Sequence, residues 1–329
     1  MFLGVFAYCV VVMHTIVPGN DDDFVPLVAV AGGLVLALVA VAFLVYFIHH
    51  VAALVQSGEV ARSIAVDTLD AIDDTCSEPL AAGEDEPGGP DTGALHWHPV
   101  PAPEMGYIEH VDLDGLADLA RKRGVVVRME QWVGDFCTPE RPIASIAGGD
   151  GEAQSPDEDT LRCVAGLFAV DSYRTIGQDV AFGIRQLVDV ALVALSPGHD
   201  DPTTAITALD HLSVILQRLA GRRIAPRPIC DGDTLRVVPA GPGFEHLLAL
   251  AFNQILENAH GNTVVLLRLL DAIEQIRAGI RSPQRHRLLD AKRDSIAEVA
   301  RRTASCGEAR RLIEARLAGG AVAEDTAGA

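Results

Sequence analysis

Two apolar stretches open the chain, and a longer polar and mixed sequence follows them. The first stretch, 2–17, has 16 residues, and the second, 24–48, has 25 residues. A helix rises ~1.5 Å per residue, so the second stretch reaches ~37 Å and is long enough to cross ~30 Å of hydrocarbon. The polar segment 18–23 forms the turn between them. We therefore expect a transmembrane helical hairpin over 1–57, in which Gly32-Gly33 lets another helix approach closely.

The segment 58–104 changes character halfway along. Apolar residues from Val60 to Ile72 keep helical spacing, which predicts a helical stalk. From Cys76 to Glu104 the sequence is rich in proline, glycine and acidic residues and has few large apolar side chains. Such a composition is typical of a linker without a core of its own.

Two further regions complete an α+β fold. The region 105–150 predicts a small β-α-β-β unit: a strand at 107–111, a helix capped by Asp112 or Asp114 and ended by Gly124, and strands at 125–129 and 142–146. The region 151–318 predicts a mainly helical body with a small hairpin. Its helices are expected at 174–195, 202–222, 244–277 (with a kink near Gly261) and 288–317, and a disordered tail follows at 319–329.

Acidic residues are concentrated next to the membrane segment. The chain carries a net charge of −19, and positions 63–120 contain fourteen Asp and Glu residues and no Lys or Arg. A negatively charged segment repels phosphate backbones, so we expect no nucleic-acid partner. The partner that we expect is the lipid bilayer. Arg62 is the one base near the second apolar stretch, and this bias predicts that the C-terminal region is cytoplasmic.

Six polar positions stand out as candidate site residues. Five lie in or before an otherwise apolar helix, and the sixth starts the next helix: Arg174, Gln178, Asp179, Arg185, Asp189 and Asp201. Asp189 lies in the apolar run LVDVALVAL, which predicts a buried carboxylate in need of a partner, either Arg185 or Arg174. These residues form either a structural network between helices or a ligand or catalytic cluster. Asp201 before Pro202 is a good helix N-cap.

Cysteine, histidine and glycine motifs indicate no further site in the sequence. The six cysteines are scattered without a CxxC pair, and His96 and His98 have no further ligands at metal-binding spacing, so we expect no metal and no cofactor. P-loop, GxSxG, HExxH and Rossmann glycine motifs are absent. An enzyme is therefore the less favoured class. Tyr46, His49 and His50 end the second apolar stretch as an interfacial belt or as a pH-sensitive pair.

Four segments together resemble one family. They are YFIHH at 46–50, GYIEHVD at 106–112, the run from RTIGQD to LSPGHDDPTTA at 174–205, and FEHLLALAF at 244–252. The chain is thereby similar to bacterial membrane proteins of domain-of-unknown-function 2254. The resemblance implies a multi-pass inner-membrane protein, here without the family's preceding pair of membrane helices. It supplies no catalytic residue.

Three functions remain open from the sequence. The favoured one is an integral membrane protein that acts as a channel- or transport-like or scaffolding homo-oligomer. The second is a membrane-anchored sensor that binds a small ligand in the region from Arg174 to Asp201. The third is a metal-dependent hydrolase that uses Asp179, Asp189 or Asp201, for which the sequence offers no recognisable motif.

Overall fold

The structure divides into two compact units, 1–60 and 61–329. It is a computed structural model that describes residues 2–15, 27–54, 57–81, 83, 90, 92–93, 95–148, 156–259, 261–304 and 306–327.

The first unit contains helices α1 (Phe2–Thr15) and α2 (Leu27–Leu54). Its segment Val28–Phe47 is the one helix in the described chain that is long and apolar enough to cross a membrane. With 14 residues, α1 reaches ~21 Å and is too short to cross by itself. The turn at 18–23 lies outside the described residues, so the two-span hairpin over 1–57 stays a prediction.

Helices α1 and α2 pack closely at a pair of glycines. The Tyr8 hydroxyl donates a hydrogen bond to the Ala29 carbonyl at 3.1 Å. A Cβ at Gly32 would lie 3.0 Å from that hydroxyl oxygen, and one at Gly33 would lie 3.5 Å from the Tyr8 ring. The glycine pair therefore admits the tyrosine, as the sequence predicts for a close helix approach.

The second unit begins within helix α3 (Ser57–Thr75) and contains all the strands. They are β1 (His98–Pro101), β2 (Gly106–Val111), β3 (Val125–Met129), β4 (Phe136–Cys137), β5 (Pro142–Gly148), β6 (Phe168–Asp171), β7 (Ile229–Asp231) and β8 (Thr234–Val238). The order in one sheet is β1-β5-β3-β8-β7, and in the other it is β4-β2-β6. Among the described strands, β3 and β8 are the pair that runs parallel, with Val127 opposite Val237.

The sheets extend beyond the predicted 105–150 unit. Strand β1 comes from the segment predicted as linker and β6 from the segment predicted as helical body, whereas the antiparallel pair β7 and β8 is the small hairpin predicted within that body. The predicted strands at 107–111, 125–129 and 142–146 are confirmed within about two residues. Asp112 caps the intervening helix α4 (Leu113–Arg123), and Gly124 ends it with a φ of 66°.

Helices α5 (Glu158–Ala165), α6 (Val180–Leu195), α7 (Pro202–Ala220), α8 (Phe244–Asn258), α9 (Thr263–Arg277), α10 (Pro283–Thr303) and α11 (Gly307–Ala327) complete the unit. Three of the predicted helices differ from the structure in extent or continuity. The 174–195 helix begins at Val180, because Asp179 caps it. The 244–277 helix is interrupted by Gly261, with a φ of 77°, and restarts at the Asn262 cap. The 288–317 helix is α10 and α11, and α11 continues past Gly319, where the tail was predicted to begin.

Two apolar cores hold this unit together. One lies among α3 and α6 to α11, and the other lies between the sheets and helices α4 and α5. Helix α3 meets α6 where Thr68 packs on Gly183, at a position where any Cβ would overlap the threonine Oγ1 atom. Arg285 is 2% exposed and donates to the carbonyls of Leu219, Ala220 and Arg222, the end of α7. Its guanidinium satisfies acceptors that a helix end leaves unpaired.

Candidate functional site

A cavity of about 320 Å³ lies between the two cores of the second unit. Its wall is mostly apolar and is assembled from separate parts of the chain: the end of α3, the start of α6, the 132–133 loop and the 224–242 segment. The wall includes Asp74, Thr75, Trp132, Gln178, Asp179 and Ala181. A volume of this size is at the lower end of the range for small-molecule sites in proteins.

Asp179 is the buried carboxylate of this region. It is 3% exposed, and its Oδ1 accepts from the Phe182 backbone N–H at 2.9 Å, which caps α6. Its Oδ2 accepts from Arg174 Nε at 3.0 Å and Arg174 Nη2 at 2.6 Å. Burial raises the pKa of the Asp179 carboxyl, although the hydrogen bonds from Arg174 and its charge act in the opposite direction. Arg174 also lies over the Phe182 ring, 4.8 Å from its centroid.

A glycine makes room for this ion pair. Gly134 has a φ of 93°, and a Cβ there would overlap the Asp179 carboxylate and lie 2.6 Å from Arg174 Nη2. The Gly134 N–H donates to the Ile108 carbonyl at 2.7 Å, so the loop is also fixed to strand β2. The VGDF sequence thus packs on the start of α6, a contact that a left-handed glycine without a side chain permits.

Gln178 adds a directed polar group to the cavity wall. Its Oε1 accepts from the Val111 N–H at 3.2 Å, at the end of β2. This bond orients the side chain and identifies Nε2 as the remaining donor, which has no acceptor among the described residues. Gln178 and Asp179 are therefore the two predicted site residues that the structure brings to the cavity.

The prediction that Asp189 is buried is wrong. Its side chain is 52% exposed and pairs with Arg185 at 2.9 Å on the outer face of α6. Arg185 also donates to Gln254 of α8 at 2.7 Å. The apolar residues around Asp189 bury the opposite face of the helix, and this leaves Asp189 in solvent. Arg185 and Asp189 thus belong to a surface pair outside the cavity.

Asp201 is confirmed as the N-cap of α7. Its Oδ1 accepts from the N–H groups of Thr203 and Thr204, and its Oδ2 accepts from the Thr204 hydroxyl at 2.6 Å. The hydrogen bonds from Thr204 lower the pKa of the Asp201 carboxyl. It does not line the cavity. Because both carboxylate oxygens cap the helix, capping alone explains why an aspartate stands at this position.

The remaining predicted site residues belong to helix α2. Tyr46 is an exposed residue of this helix. The side chains of His49 and His50 lie outside the described part of the structure. Their assignment to a membrane interface stays a prediction.

Sequence reasoning missed most of the cavity wall. Thr75 and Asp74 end α3, about 100 residues before Gln178, and Trp132 packs edge-on against His246 of α8 at 6.1 Å between ring centroids. None of these residues belongs to a recognisable motif. The only available signal was the break in helical pattern at Cys76, which ends α3 beside the cavity.

The cavity has few polar groups in its described wall. The described residues contain no group of three or more His, Cys, Asp or Glu that could hold a metal ion. Both oxygens of Asp179 are occupied by Arg174 and Phe182. The wall also contains the Gln178 amide and the Asp74 carboxylate, so this largely apolar volume can hold and orient a small molecule.

The chain has an apolar helix followed by an α+β unit, which is the organisation of a membrane protein with a folded polar region. The chain belongs to the family of predicted membrane proteins designated DUF2254, and the match covers residues 1–275. This finding confirms the resemblance drawn from the four sequence segments.

Relatives come from mycobacteria. The chain is 31% identical over 308 residues to uncharacterized proteins of Mycobacterium bovis and of Mycobacterium tuberculosis strain H37Rv. Each alignment covers 92% of this chain and 58% of the relative, so the chain spans less than two thirds of these proteins. No solved structure matches the chain.

Proposed function

We propose that this chain is a membrane-anchored protein that binds a small, largely apolar molecule in the cavity beside the start of α6. The carrying observation is the cavity itself, about 320 Å³ in volume, with a mostly apolar wall and the Gln178 amide donor. A sensor, in which ligand binding changes the state of the folded unit, is the role that this feature favours among those considered from the sequence.

The arrangement around the cavity supports a ligand more than a reaction. The buried carboxylate of the wall, Asp179, has its two oxygens occupied by Arg174 and by the α6 cap, so it is not available as a catalytic base. The cavity wall is held in place by the Gly134 bond to Ile108, the Val111 bond to Gln178 and the packing of Gly134 on Asp179, which join the loop, β2 and the start of α6. A fixed wall lowers the entropy that binding must overcome.

We further infer that α2 spans a bacterial inner membrane, with α1 as the second arm of a hairpin and the body in the cytoplasm. The support is the apolar segment Val28–Phe47 and the single base Arg62 that follows it. Cys163 and Cys230 are exposed, so their labelling shows on which side of the membrane the folded body lies. A membrane-impermeant maleimide should label them only after spheroplasts are lysed, and labelling of intact spheroplasts would contradict this orientation.

The channel-like or scaffolding oligomer stays a prediction, since a single chain does not show how copies associate. It is tested by cross-linking the full chain in native membranes. Ladders that extend beyond a monomer would support the oligomer, and a monomer at all cross-linker concentrations would contradict it.

Ligand binding is tested by thermal unfolding of the full chain in a nonionic detergent with 4-phenylbutan-1-ol as the probe. A ligand at ten times its dissociation constant stabilises the folded state by about 1.4 kcal/mol, which corresponds to a Tm increase of about 3–5 °C. The test variant is Ala181→Leu, which adds three carbon atoms to the cavity wall and should fill part of the volume. The exposed Ala291→Leu substitution controls for the chemistry of the change.

The proposal requires that wild type and Ala291→Leu are stabilised equally and that Ala181→Leu is not. Equal shifts in all three proteins, or none in any, would overturn it.

A further inference from the structure

The charges around the cavity have one sign. The charged residues in its described wall are Asp74 and Asp179, and no Lys, Arg or His is among them. The Asp179 charge is balanced by Arg174 at 2.6 Å. Asp74 has no hydrogen bond or ion pair with any described residue and is exposed. Its carboxylate therefore lies where the cavity wall meets solvent.

Helix α3 ends at the edge of the cavity, with Asp74 in its last turn. Asp74 and Thr75 form the last turn of a 19-residue helix, and the C-terminal end of a helix carries a partial negative charge. Two bases contact this helix end: Arg218 lies 3.6 Å from the Asp73 carboxylate, and Arg222 binds it more closely. The Arg222 guanidinium pairs with Asp73 at 2.7 Å and donates to the Ile72 and Cys76 carbonyls, so it is held on the Asp73 side.

The neutral polar groups of the wall define a second contact. Gln178 Nε2 is a donor without a described acceptor, and the Thr75 hydroxyl, which donates to the Ala71 carbonyl at 2.6 Å and lies 3.7 Å from Cys76 Sγ, keeps a lone pair as an acceptor. Apolar side chains such as Val111, Leu247 and Met129 form most of the remaining surface. The wall thus offers an apolar volume with a carboxylate at one edge.

From this arrangement we infer that the cavity selects a cationic amphiphile: a small molecule with an apolar body and an amine that pairs with Asp74. The inference rests on the proposed ligand-binding function and names its substrate class. An anionic group of the same size is disfavoured, because it would approach Asp74 and the end of α3 without a wall cation to balance it. A neutral molecule binds with intermediate strength.

The test compares three probes with one body: 4-phenylbutylamine, 4-phenylbutan-1-ol and 4-phenylbutyrate, which are cationic, neutral and anionic at pH 7. Trp132 lines the cavity and reports occupancy by its fluorescence. The chain has two tryptophans, so Trp97→Phe makes Trp132 the single emitter in the full-length protein. Exposed ion pairs contribute up to about 1 kcal/mol, so the amine should bind about three- to fivefold tighter than the alcohol.

Two substitutions isolate the carboxylate. Asp74→Asn should reduce the amine-to-alcohol affinity ratio to about one, and Asp74→Lys should make the carboxylate probe the tightest ligand. Asp67→Asn is the matched control, because Asp67 is an exposed residue of α3 two turns earlier, ~10 Å along the axis. At that distance its charge is largely screened at ~0.1 M salt.

The outcomes separate this inference from the function on which it rests. If the alcohol binds and the amine shows no preference, or if Asp74→Asn leaves the ratio unchanged, the charge selection is overturned while ligand binding stands. If none of the three probes gives a saturable change, the proposed function itself fails. A preference that disappears equally in Asp67→Asn would also contradict the assignment to Asp74.

Discussion

Replacing Asp179 with asparagine and with alanine separates the two roles of this carboxylate. One oxygen caps α6 through the Phe182 N–H at 2.9 Å, and the other accepts two bonds from Arg174. Asparagine keeps an oxygen that can cap the helix and removes the charge. Alanine removes both. The pair of variants therefore measures how much of the stability at this site comes from the cap and how much from the ion pair.

The structure sets the expected magnitudes. Loss of an N-cap costs about 1 kcal/mol, and asparagine is as good a cap as aspartate. Hydrogen bonds to a charged group contribute about 1.5–3 kcal/mol, but Arg174 is 26% exposed and water can replace its partner. Burial also raises the pKa of Asp179, so the charged form is itself disfavoured there. We expect a loss of about 1 kcal/mol for Asp179→Asn and about 2–3 kcal/mol for Asp179→Ala.

The free energy of unfolding is measured by denaturant titration of the full chain, followed by far-ultraviolet circular dichroism. Asp201 provides the matched control, because it caps α7 at an exposed position without an arginine partner. Asp201→Ala should cost about 1 kcal/mol and Asp201→Asn close to nothing. If Asp179→Asn is as damaging as Asp179→Ala, the ion pair dominates and the reasoning is refuted.

The pH dependence of the same variants gives a check with a definite sign. The raised pKa means that the folded protein binds the Asp179 proton more tightly than the unfolded chain does. This contribution to stability is complete below the ordinary aspartate pKa of about 3.9 and is lost as the pH rises through the folded-state pKa. Asparagine does not titrate. The stability of wild type relative to Asp179→Asn should therefore increase as the pH falls from 7 towards 4, and a decrease would contradict the shift.

Three further substitutions test contacts in the second unit outside the cavity wall. Gly183→Ala should lower the free energy of unfolding by about 1–3 kcal/mol in denaturant titrations, because the new Cβ overlaps Thr68. Adding Thr68→Ala to the same chain should recover part of that loss. Arg285→Met should cost about 3 kcal/mol by the same assay, since three carbonyls at the end of α7 lose their donor, and a loss below 1 kcal/mol would contradict that role. Asp189→Asn should change Tm by less than ~2 °C, because its pair with Arg185 is exposed, and a larger loss would mean that Asp189 is buried.

Local signals in the sequence predicted local structure well. Asp112 and Gly124 define the ends of α4, and Asp201 with Pro202 starts α7, as their capping and turn preferences require. The apolar stretch that becomes α2 is equally evident from composition. In each case the determining interactions lie within a few residues, so a single sequence contains them.

Contacts between distant segments were not predictable in the same way. The sequence favoured Asp189 as the buried acid because of its apolar neighbours, whereas Asp179 is the buried one. The difference arises from which face of α6 packs on α3 and α7, and periodicity alone leaves that choice open for a helix rich in apolar residues. The parallel pairing of β3 with β8 joins residues about 110 positions apart, with no local pattern to indicate it.

The most direct test of the central claim is the emission of Trp132 in the Trp97→Phe protein during titration with 4-phenylbutan-1-ol. A ligand held in the cavity predicts a change that saturates at one molecule per chain and that Ala181→Leu removes. A change that rises without saturation, with the same slope in both proteins, would show partition into the detergent alone and would contradict a binding cavity.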